Sequence, residues 1–313
     1  MKVGVIGGGI VGLSVAKLAS EKGHKVVLFE KDTIGQHQSG NNSGVLHCGL
    51  HYMPGSLKAK LAVEGIRKMI DYCEAKQIQH DICGKVVVAT DVLESKRLEN
   101  LASRGQKNGL KGLKFLSNPE LGKREPHTKA HSALFVPEEG IVDYRQVMRS
   151  FKSDILENDG IIFEGQKVIA LEYAKNGRSI IKTKDLEEDV ELVINCAGLY
   201  TDKVFGVLTK KKPPLKIVPF RGEYLKLKEE NKGIVNHLVY PTPNPDFPFL
   251  GVHFTRMING GREVGPNAVL ALKREGYTNR DFSLSEAMES LTYSGLLRFL
   301  TKNFRFSFEE FKS

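Results

Sequence analysis

Three glycines near the N-terminus stand at the spacing of a phosphate-binding turn. Gly7, Gly9 and Gly12 fit the pattern G-x-G-x-x-G and follow a short run rich in β-branched residues at positions 3–6. Glycines at these positions permit a tight turn, the close approach of a pyrophosphate to the backbone, and close packing of a helix on the strand. Glu30 stands 18 residues beyond Gly12, at the end of a second apolar run. A carboxylate there can accept hydrogen bonds from a ribose hydroxyl.

The elements around these residues are those that such a turn needs. Residues 13–19 are predicted to form a helix that Gly23 ends, and residues 25–29 are predicted to form a second strand. A helix in this place directs its free N–H groups and its positive dipole end at the phosphates. The order of strand, turn, helix, strand and acid predicts a dinucleotide-binding site, and the acid at position 30 disfavours NADP. The motif by itself leaves NAD and FAD open.

A loop rich in glycine, serine and asparagine follows at residues 36–49, and such a loop is suited to wrap a further part of a cofactor. From this loop onward the chain resembles the D-amino acid oxidase superfamily of FAD enzymes, and within it the L-2-hydroxyglutarate dehydrogenase/oxidase family. The stretches that carry the resemblance are SGNNSGV (39–45), PGSLKAK (54–60), GIVDYR (140–145), NCAGLY (195–200), VPFRGEY (218–224), PFLGVHFT (248–255), GPNAVLA (265–271) and KREGY (273–277). They run through the whole chain in the family's order. One departure is His51-Tyr52, where the family has a tyrosine pair.

The resemblance implies an α/β fold in which a Rossmann-type FAD-binding lobe is interleaved with an antiparallel-sheet substrate lobe. It also implies FAD as the cofactor and oxidation of L-2-hydroxyglutarate to 2-oxoglutarate by hydride transfer to flavin N5. In the family's pattern, residues 42–44 lie on the pyrophosphate and ribityl side and Val168 on the adenine side, although core packing explains a valine equally well. The predicted cofactor-binding residues are Gly7, Gly9, Gly12, Glu30, Lys31, Asn42, Ser43, Gly44, Val168, Ala197 and Gly198.

Oxidation of a 2-hydroxy acid needs a base for the hydroxyl proton and cationic groups for the carboxylates. His253 is the leading candidate for the base, because the pKa of imidazole lies near neutrality, and His47, directly after the cofactor loop, is the alternative. Arg221 can form a bidentate fork with a carboxylate. Arg256 and Lys273 are weaker candidates for the distal carboxylate. For each of these residues an ordinary role, as a core histidine or an ion-paired surface cation, stays open.

Composition places the chain among soluble globular proteins. Of 313 residues, 41% are hydrophobic and 27% are charged, which argues against disorder. The four cysteines form no CxxC pair, so we expect neither a disulfide framework nor a metal site. No apolar run nears the about 20 residues of a membrane span, and no signal-peptide pattern precedes the first strand. We therefore expect a cytoplasmic location, with peripheral membrane contact left open.

The net charge of +9 can attract nucleic acid, anionic lipid or acidic metabolites. The basic clusters are short, and there is neither tryptophan nor an RNA-binding motif, so nucleic acid is not an expected partner. Attraction of a small dicarboxylate substrate is the simpler use of the charge. The electron acceptor, whether oxygen, a quinone or a carrier protein, is left open.

The domain organisation follows from the resemblance and from the distribution of apolar runs. Residues 1–78 and 140–210 are assigned to the FAD-binding lobe, and residues 79–139 and 211–300 to the substrate lobe. In the first lobe, residues 179–183 and 191–195 are predicted to pair as a hairpin around an acidic turn at residues 185–189. In the second lobe, prolines are predicted to break the chain into an irregular segment at Pro241, Pro243, Pro245 and Pro248.

Members of the resembling family continue beyond the region that residues 301–313 begin. Their later segment carries a Gly-Pro-Ala-Gly-x-Arg stretch and an Asn-Ala-Pro-Ser-Pro-Ala stretch, which close over the isoalloxazine. Neither stretch occurs in this sequence, so we expect a C-terminally truncated member of the family with weakened cofactor retention. Two alternatives follow: another oxidoreductase of the superfamily, acting on glycerol 3-phosphate or an amino acid, or an inactive truncated flavoprotein.

Overall fold

The computed structural model describes residues 1–174, 177–245 and 251–303. The first three residues of the PFLGVHFT stretch, which begin with Pro248, and residues 304–313 of the predicted C-terminal region lie outside the described residues. In the described part of the chain, no helix combines the length and the apolar character that crossing a membrane requires.

The described residues form eight α-helices and seventeen strands. The helices are α1 (Ile10–Glu21), α2 (Leu57–Ala75), α3 (Val92–Lys107), α4 (Asn118–Arg124), α5 (Tyr144–Glu157), α6 (Thr201–Thr209), α7 (Leu284–Leu291) and α8 (Ser294–Lys302). The strands are β1 (Lys2–Ile6), β2 (Lys25–Phe29), β3 (Val45–Leu46), β4 (His80–Asp81), β5 (Lys85–Ala89), β6 (Lys114–Leu116), β7 (Ser132–Val136), β8 (Gly140–Val142), β9 (Ile161–Phe163), β10 (Ala170–Tyr173), β11 (Ser179–Lys182), β12 (Glu187–Val190), β13 (Leu192–Asn195), β14 (Phe220–Lys226), β15 (Leu238–Pro241), β16 (His253–Arg256) and β17 (Arg262–Leu270).

Two compact units account for the described residues. Unit 1 is built from Met1–Asn42, Tyr144–Pro219 and Ala271–Leu297. Unit 2 is built from Ser43–Asp143 and Phe220–Leu270, together with the described residues from Arg298 onward. The boundaries proposed from the sequence differ from these chiefly at two places, because residues 43–78 belong to unit 2 and residues 271–297 to unit 1.

Long-range contacts explain where these two segments belong. In unit 2, Arg67 of α2 donates hydrogen bonds to the carbonyl oxygen of Gly109 at 3.0 Å and to Glu138 Oε2 at 3.2 Å. In unit 1, the buried guanidinium of Arg274 donates to the two carboxylate oxygens of Asp202, on α6, at 2.6 and 2.8 Å. The distribution of apolar runs, on which the proposed boundaries partly rest, carries no signal of such pairs.

A four-stranded parallel sheet organises unit 1, in the order β13-β1-β2-β9. In its register Val5 lies opposite Ile194 on one side and Leu28 on the other. Because the strands are parallel, their carboxyl ends meet at one edge, where open α/β sheets bind their ligands. Helix α1 packs against β2 and α5. The glycine turn after β1 and the acid after β2 therefore lie at that edge.

The antiparallel sheet β10-β11-β12 packs against β1 within the same unit. A Cβ atom added to Gly4 would lie 2.4 Å from Cδ1 of Ile181, which shows how closely the two layers approach. The predicted hairpin is wrong in its second strand: β12 pairs with β11, while β13 pairs in parallel with β1. The acidic residues of β12 suit a strand because basic partners are available, with Lys182 Nζ 2.9 Å from Glu187 Oε1.

A seven-stranded sheet organises unit 2, in the order β14-β17-β16-β15-β5-β7-β6. The neighbours β15 and β5 are parallel, with Leu238 opposite Lys85, and the other pairs of this sheet are antiparallel. A small antiparallel sheet, β3-β8-β4, places Leu46 opposite Gly140. The antiparallel character predicted for this part of the fold is confirmed, with one parallel pair added.

Candidate active site

A cavity of about 400 Å³ lies in unit 1, at the carboxyl edge of the parallel sheet. Its lining brings together seven of the eleven predicted cofactor-binding residues, which are Gly7, Gly9, Glu30, Lys31, Val168, Ala197 and Gly198. These positions are widely separated in sequence. The pairing of β13 with β1 carries Ala197 and Gly198 to the turn that follows β1. The volume falls in the usual range for small-molecule sites.

The glycine turn has no space for side chains. Gly7 has φ +112°, and a Cβ atom there would lie 2.3 Å from the carbonyl oxygen of Cys196. A Cβ atom on Gly12 would lie 1.9 Å from the carbonyl oxygen of Gly7. Gly12 does not line the cavity; it lets α1 pack directly beneath the turn. One of the free N–H groups at the start of α1 is satisfied by a side chain, since Ile10 N donates to Ser39 Oγ at 3.0 Å.

Glu30 is buried, with 6% of its surface exposed. Its carboxylate accepts hydrogen bonds from the backbone N–H of Gly8 at 2.6 Å and of Asp32 at 2.9 Å. These bonds fix the carboxylate at the floor of the cavity. A carboxylate has about four lone-pair sites, so Glu30 can still accept hydrogen bonds from a ribose.

Charged and aromatic side chains from distant segments border the same cavity. Lys31 Nζ lies 2.5 Å from Glu275 Oε1, and it lies 5.4 Å from the ring centroid of Tyr200. Burial disfavours the ammonium, but hydrogen bonds to Asp32 and Glu275 outweigh it and raise the pKa of Lys31 above its ordinary value. Burial and the hydrogen bond with Glu275 raise the pKa of Tyr200, which keeps its hydroxyl protonated. No local signal places Glu275 here, because its contact with Lys31 spans most of the chain.

The ligand atoms of Glu30, Asp32 and His37 lie within 4.8 Å of one another, which is close enough to consider a metal ion. Each group already has other partners. Glu30 accepts from backbone N–H groups, and His37 Nε2 lies 2.7 Å from Asp32 Oδ2 and 2.9 Å from Lys31 Nζ. The arrangement is better described as a polar network beside the cavity.

The predicted loop residues 42–44 are placed elsewhere. Asn42 ends the first segment of unit 1, where its side chain donates to the carbonyl oxygen of Ser39 at 2.5 Å. Ser43 and Gly44 begin unit 2, and the carbonyl oxygen of Gly44 accepts from Val142 N at 2.8 Å. Among the described residues, the lining of the cavity does not include these three. Their role with the cofactor stays a prediction.

The two predicted histidines both lie near Tyr240 in unit 2. The His253 ring, 3% exposed, lies parallel to the Tyr240 ring, with centroids 4.0 Å apart. Its Nδ1 lies 3.0 Å from the carbonyl oxygen of Gly251, so Nδ1 carries the proton and Nε2 is the acceptor nitrogen. Burial, with the nearby His47 and Lys85, lowers the pKa of His253 to about 4.

The His47 ring contacts the Tyr240 ring edge-to-face, with centroids 6.3 Å apart. Half of its side chain is exposed, and its Nδ1 lies 3.1 Å from Oε2 of the fully buried Glu139. Burial disfavours the ionised form of Glu139, but the Lys85 charge and the His47 contact outweigh it and hold the pKa of Glu139 well below its usual range. Oε1 of Glu139 lies 2.9 Å from Lys85 Nζ.

Sequence reasoning missed Lys85, Glu139 and Tyr240. Lys85 is fully buried, and its Nζ lies 4.9 Å from the Tyr240 ring centroid, within reach of a cation–π contact. A lysine directly before the apolar run of residues 86–89 is a signal that could have found it, because a charged residue in a buried strand needs a partner. Neither Glu139 nor Tyr240 carries a comparable signal.

The predicted cations of unit 2 have partners. Arg221 lies on β14 and donates to Glu223 Oε1 from Nη2 at 2.5 Å and from Nε at 3.2 Å. Tyr224 of the same strand contacts the His253 ring, with centroids 6.0 Å apart. Arg256 pairs with Asp81 at 2.8 Å, which engages it in an ordinary ion pair. Lys273, the other weaker candidate, belongs to unit 1.

Comparison with known proteins defines the class of this one. The chain matches the model of the FAD dependent oxidoreductase family over residues 2–304. It therefore belongs to the FAD-dependent oxidoreductase family and is an enzyme that uses FAD. The glycine turn and the buried Glu30 after β2 fit this cofactor. Side chains at Gly7 and Gly12 would clash with the backbone, and glycines at these positions let a pyrophosphate come close to the turn.

Within this family the chain is similar to L-2-hydroxyglutarate dehydrogenases. It is 46% identical over 301 residues to that of Indibacter alkaliphilus, covering 95% of this chain and 75% of the relative. It is 41% identical over 320 residues to the mitochondrial enzyme of Homo sapiens, covering 98% of this chain and 69% of the relative. Dithionite-reduced L-α-glycerophosphate oxidase from Mycoplasma pneumoniae, solved with FAD bound, shares the fold, with a TM-score of 0.80 and 24% identity over 92% of this chain and 78% of that one. The predicted family, fold and cofactor are confirmed.

Proposed function

We propose that this enzyme oxidises L-2-hydroxyglutarate to 2-oxoglutarate. The observation that carries the proposal is the 46% identity, over 95% of the chain, to a protein named L-2-hydroxyglutarate dehydrogenase. Relatives of the same name at 41% and 42% identity also match nearly the whole chain. The geometry supports the reaction class, since a nucleotide cavity and a pair of histidines occur in the same chain.

The reaction converts a secondary alcohol to a ketone. The Cα–H bond breaks with its electron pair, the hydroxyl proton leaves, and the electrons of the O–H bond form the new C=O bond. FAD, when bound, supplies the acceptor for the hydride. The chain's own residues must accept the proton and hold the two carboxylates of the substrate.

His47 is the better placed of the two candidate bases. Its ring is half exposed, and Nδ1 faces the ionised Glu139, so Nδ1 carries a proton and Nε2 keeps its lone pair to accept another. The His253 ring is buried against Tyr240, and its pKa of about 4 makes it a weak base. We assign Nε2 of His47 as the atom that accepts the hydroxyl proton of the substrate. His253 is assigned the role of holding the Tyr240 ring in place. This reverses the order of the two candidates predicted from the sequence.

Arg221 is the proposed ligand of one substrate carboxylate. Its side chain is largely buried on β14, and its guanidinium already forms a charge-assisted contact with Glu223. A planar guanidinium can hold a second carboxylate through its remaining N–H groups. The net charge of +9 favours the approach of a dianionic substrate.

The alternative substrates find less support. The likeness to glycerophosphate oxidase rests on 24% identity and concerns the fold. An amino acid substrate would present an ammonium group, for which neither the sequence nor the described cluster in unit 2 suggests a dedicated carboxylate, since Glu139 is engaged by Lys85.

Two further expectations have their own tests. Comparing oxygen consumption with reduction of a quinone analogue tests the electron acceptor, and cell fractionation tests the expected cytoplasmic location.

Anaerobic reduction of the bound flavin tests the proposal. L-2-Hydroxyglutarate should bleach the oxidised flavin band and yield stoichiometric 2-oxoglutarate. D-2-Hydroxyglutarate and glycerol 3-phosphate serve as controls and should leave the band unchanged. Bleaching by glycerol 3-phosphate, or failure of L-2-hydroxyglutarate to bleach a flavin that dithionite reduces, would contradict the assigned substrate.

A further inference from the structure

Lys85 and Glu139 form an ion pair that is removed from water on both sides. Neither side chain has any exposed surface, and Lys85 Nζ lies 2.9 Å from Glu139 Oε1. Burying two charges costs desolvation free energy that their attraction often fails to recover, so such a pair is weak evidence for a stabilising role. The presence of this buried pair is better explained by the other contacts that the Glu139 carboxylate makes.

Glu139 holds the segment that carries His47. Its Oε1 accepts from the backbone N–H of Cys48 at 3.2 Å and from the Cys48 thiol at 3.1 Å, while Oε2 faces His47 Nδ1 at 3.1 Å. Burial and the Glu139 charge raise the pKa of Cys48, so the thiol stays protonated and donates. Both neighbouring residues are thus bound by one carboxylate.

The register of the small sheet brings His47 and Glu139 close to each other. In the antiparallel pair of β3 and β8, Leu46 lies opposite Gly140, so the next residue of one strand faces the preceding residue of the other. His47 therefore meets Glu139. The backbone of Glu139 is fixed in turn, since its carbonyl oxygen accepts from Gly84 N at 2.8 Å, one residue before β5 and Lys85.

The protonation states follow from these contacts. The Lys85 charge keeps Glu139 ionised, and an ionised carboxylate can only accept hydrogen bonds. His47 must then donate from Nδ1, which leaves Nε2 as its acceptor nitrogen. Hydrogen bonds of this kind fix both the tautomer and the ring orientation of a functional histidine.

We propose that Glu139, held by Lys85, is a positioning residue that fixes His47 in the Nδ1-protonated tautomer and turns its Nε2 toward the substrate hydroxyl. This inference rests on the proposed function, in which His47 is the base. It extends that function to two fully buried residues, Lys85 and Glu139, which act through His47.

The decisive variant removes both charges at once, because a single substitution would leave a buried charge unpaired and endanger folding. In K85M/E139L the apolar side chains replace the pair, and His47 loses its acceptor. We expect kcat/KM for L-2-hydroxyglutarate to fall about 10- to 100-fold with FAD content unchanged, by analogy with the loss seen when the partner of a metal-binding histidine is removed. K85M/E139Q keeps an uncharged acceptor for Nδ1 and should recover part of the activity.

Coupling to His47 separates positioning from general damage. In an H47Q background, adding K85M/E139L should change the residual activity less than about 2-fold, because the group that is positioned has already been removed. The matched control is K114M/E120Q, which removes an exposed lysine–glutamate pair of the same unit and should leave activity unchanged. Equal losses with and without His47 would overturn the proposal.

A measurement without substrate keeps this inference distinct from the proposed function. In the ¹⁵N NMR spectrum of the protein, the His47 signals, assigned by their loss in H47Q, should show a protonated Nδ1 and an unprotonated Nε2. In K85M/E139L they should shift toward the opposite tautomer or a mixture. A protonated Nε2 in the unsubstituted protein, or an unchanged pattern in the variant, would overturn the positioning role whatever substrate the enzyme takes.

Discussion

The imidazole of His253 lies almost parallel to the phenol ring of Tyr240, with centroids 4.0 Å apart and planes inclined by 19°. The stack buries His253 and brings it near the positive charge of Lys85, whose Nζ lies 4.9 Å from the centre of the Tyr240 ring. Both effects disfavour the imidazolium, and the pKa of His253 falls to about 4. Because the buried His253 ring stays neutral at pH values at which an unfolded chain would bind a proton there, the stability of unit 2 depends on pH.

Acidification should destabilise the protein through His253. In the unfolded chain the pKa of histidine is about 6.5, so between about pH 6.5 and pH 4 the unfolded state binds a proton that the folded state excludes. The stabilising contribution is present above this window and is lost as the pH falls through it. Relative to H253F, the unsubstituted protein should lose about 2 kcal/mol of unfolding free energy between pH 7 and pH 5. Urea denaturation at both pH values measures the difference, and parallel losses in the two proteins would contradict it.

Gly12 should tolerate no side chain. In G12A the added Cβ atom would lie 1.9 Å from the carbonyl oxygen of Gly7, so either the turn or the start of α1 must move. We expect FAD binding to be lost or weakened at least about 10-fold, since the turn faces the cofactor cavity. The matched control is G65A, at a helical glycine with open space around it, which should be neutral or slightly stabilising. Titration of the apoprotein with FAD checks both, and equal affinities would argue against the glycine turn as the binding site.

Substitution of Glu30 should weaken FAD binding while the fold is retained. In E30Q an amide N–H₂ must face either the Gly8 or the Asp32 backbone donor, so one charge-assisted hydrogen bond is lost. The dissociation constant of FAD should rise about 10- to 100-fold. The control is E21Q, which alters an exposed glutamate paired with Lys17 on α1 and should leave the constant unchanged. Fluorescence quenching of added FAD measures the binding.

Arg274 should be needed for stability. Its guanidinium and the Asp202 carboxylate are both buried, with the two hydrogen bonds at 2.6 and 2.8 Å. R274M leaves Asp202 as an unpaired buried charge and should cost about 3–5 kcal/mol of unfolding free energy. K203M removes an exposed cation that contacts Glu289 and should cost less than about 1 kcal/mol. Urea denaturation curves of the two variants separate these outcomes, and similar midpoints would refute the role given to Arg274.

Arg221 should act on substrate affinity. Lysine retains the charge in R221K but cannot form the planar fork, so one carboxylate of the substrate should be held less well. We expect KM for L-2-hydroxyglutarate to rise about 10-fold with FAD content unchanged. R178K alters a cation of unit 1 that pairs with Asp189 and Glu191 and should leave KM as it is. An unchanged KM in R221K would show that Arg221 does not bind a carboxylate of the substrate.

Part of the lining of the cavity in unit 1 could be predicted from sequence, because the elements that carry it are consecutive. Gly7, Gly9 and Glu30 lie within one strand–turn–helix–strand unit, whose spacing reflects local backbone geometry. Ala197 and Gly198 reach the same cavity through the pairing of β13 with β1, and their assignment came from the family resemblance.

The histidine cluster could be predicted only in part, since its geometry depends on the register of distant strands. His47 and Glu139 are 92 residues apart, and they meet because Leu46 faces Gly140. A shift of one residue in that pairing would point Glu139 to the opposite face of the sheet. The error at β12 has a related cause, because its acidic residues find basic partners across the sheet that a local interpretation as a turn cannot anticipate.

The order of strands in unit 1 has a consequence for synthesis of the chain. β1 and β2 are made well before the strands that flank them, since β9 and β13 come from residues 161–163 and 192–195. Pairings of such wide sequence separation form slowly, and apolar strand edges stay exposed until they do. The nascent chain must therefore keep β1 and β2 from aggregating until residues 161–195 have been made. Chaperone supply during expression should influence how much protein folds.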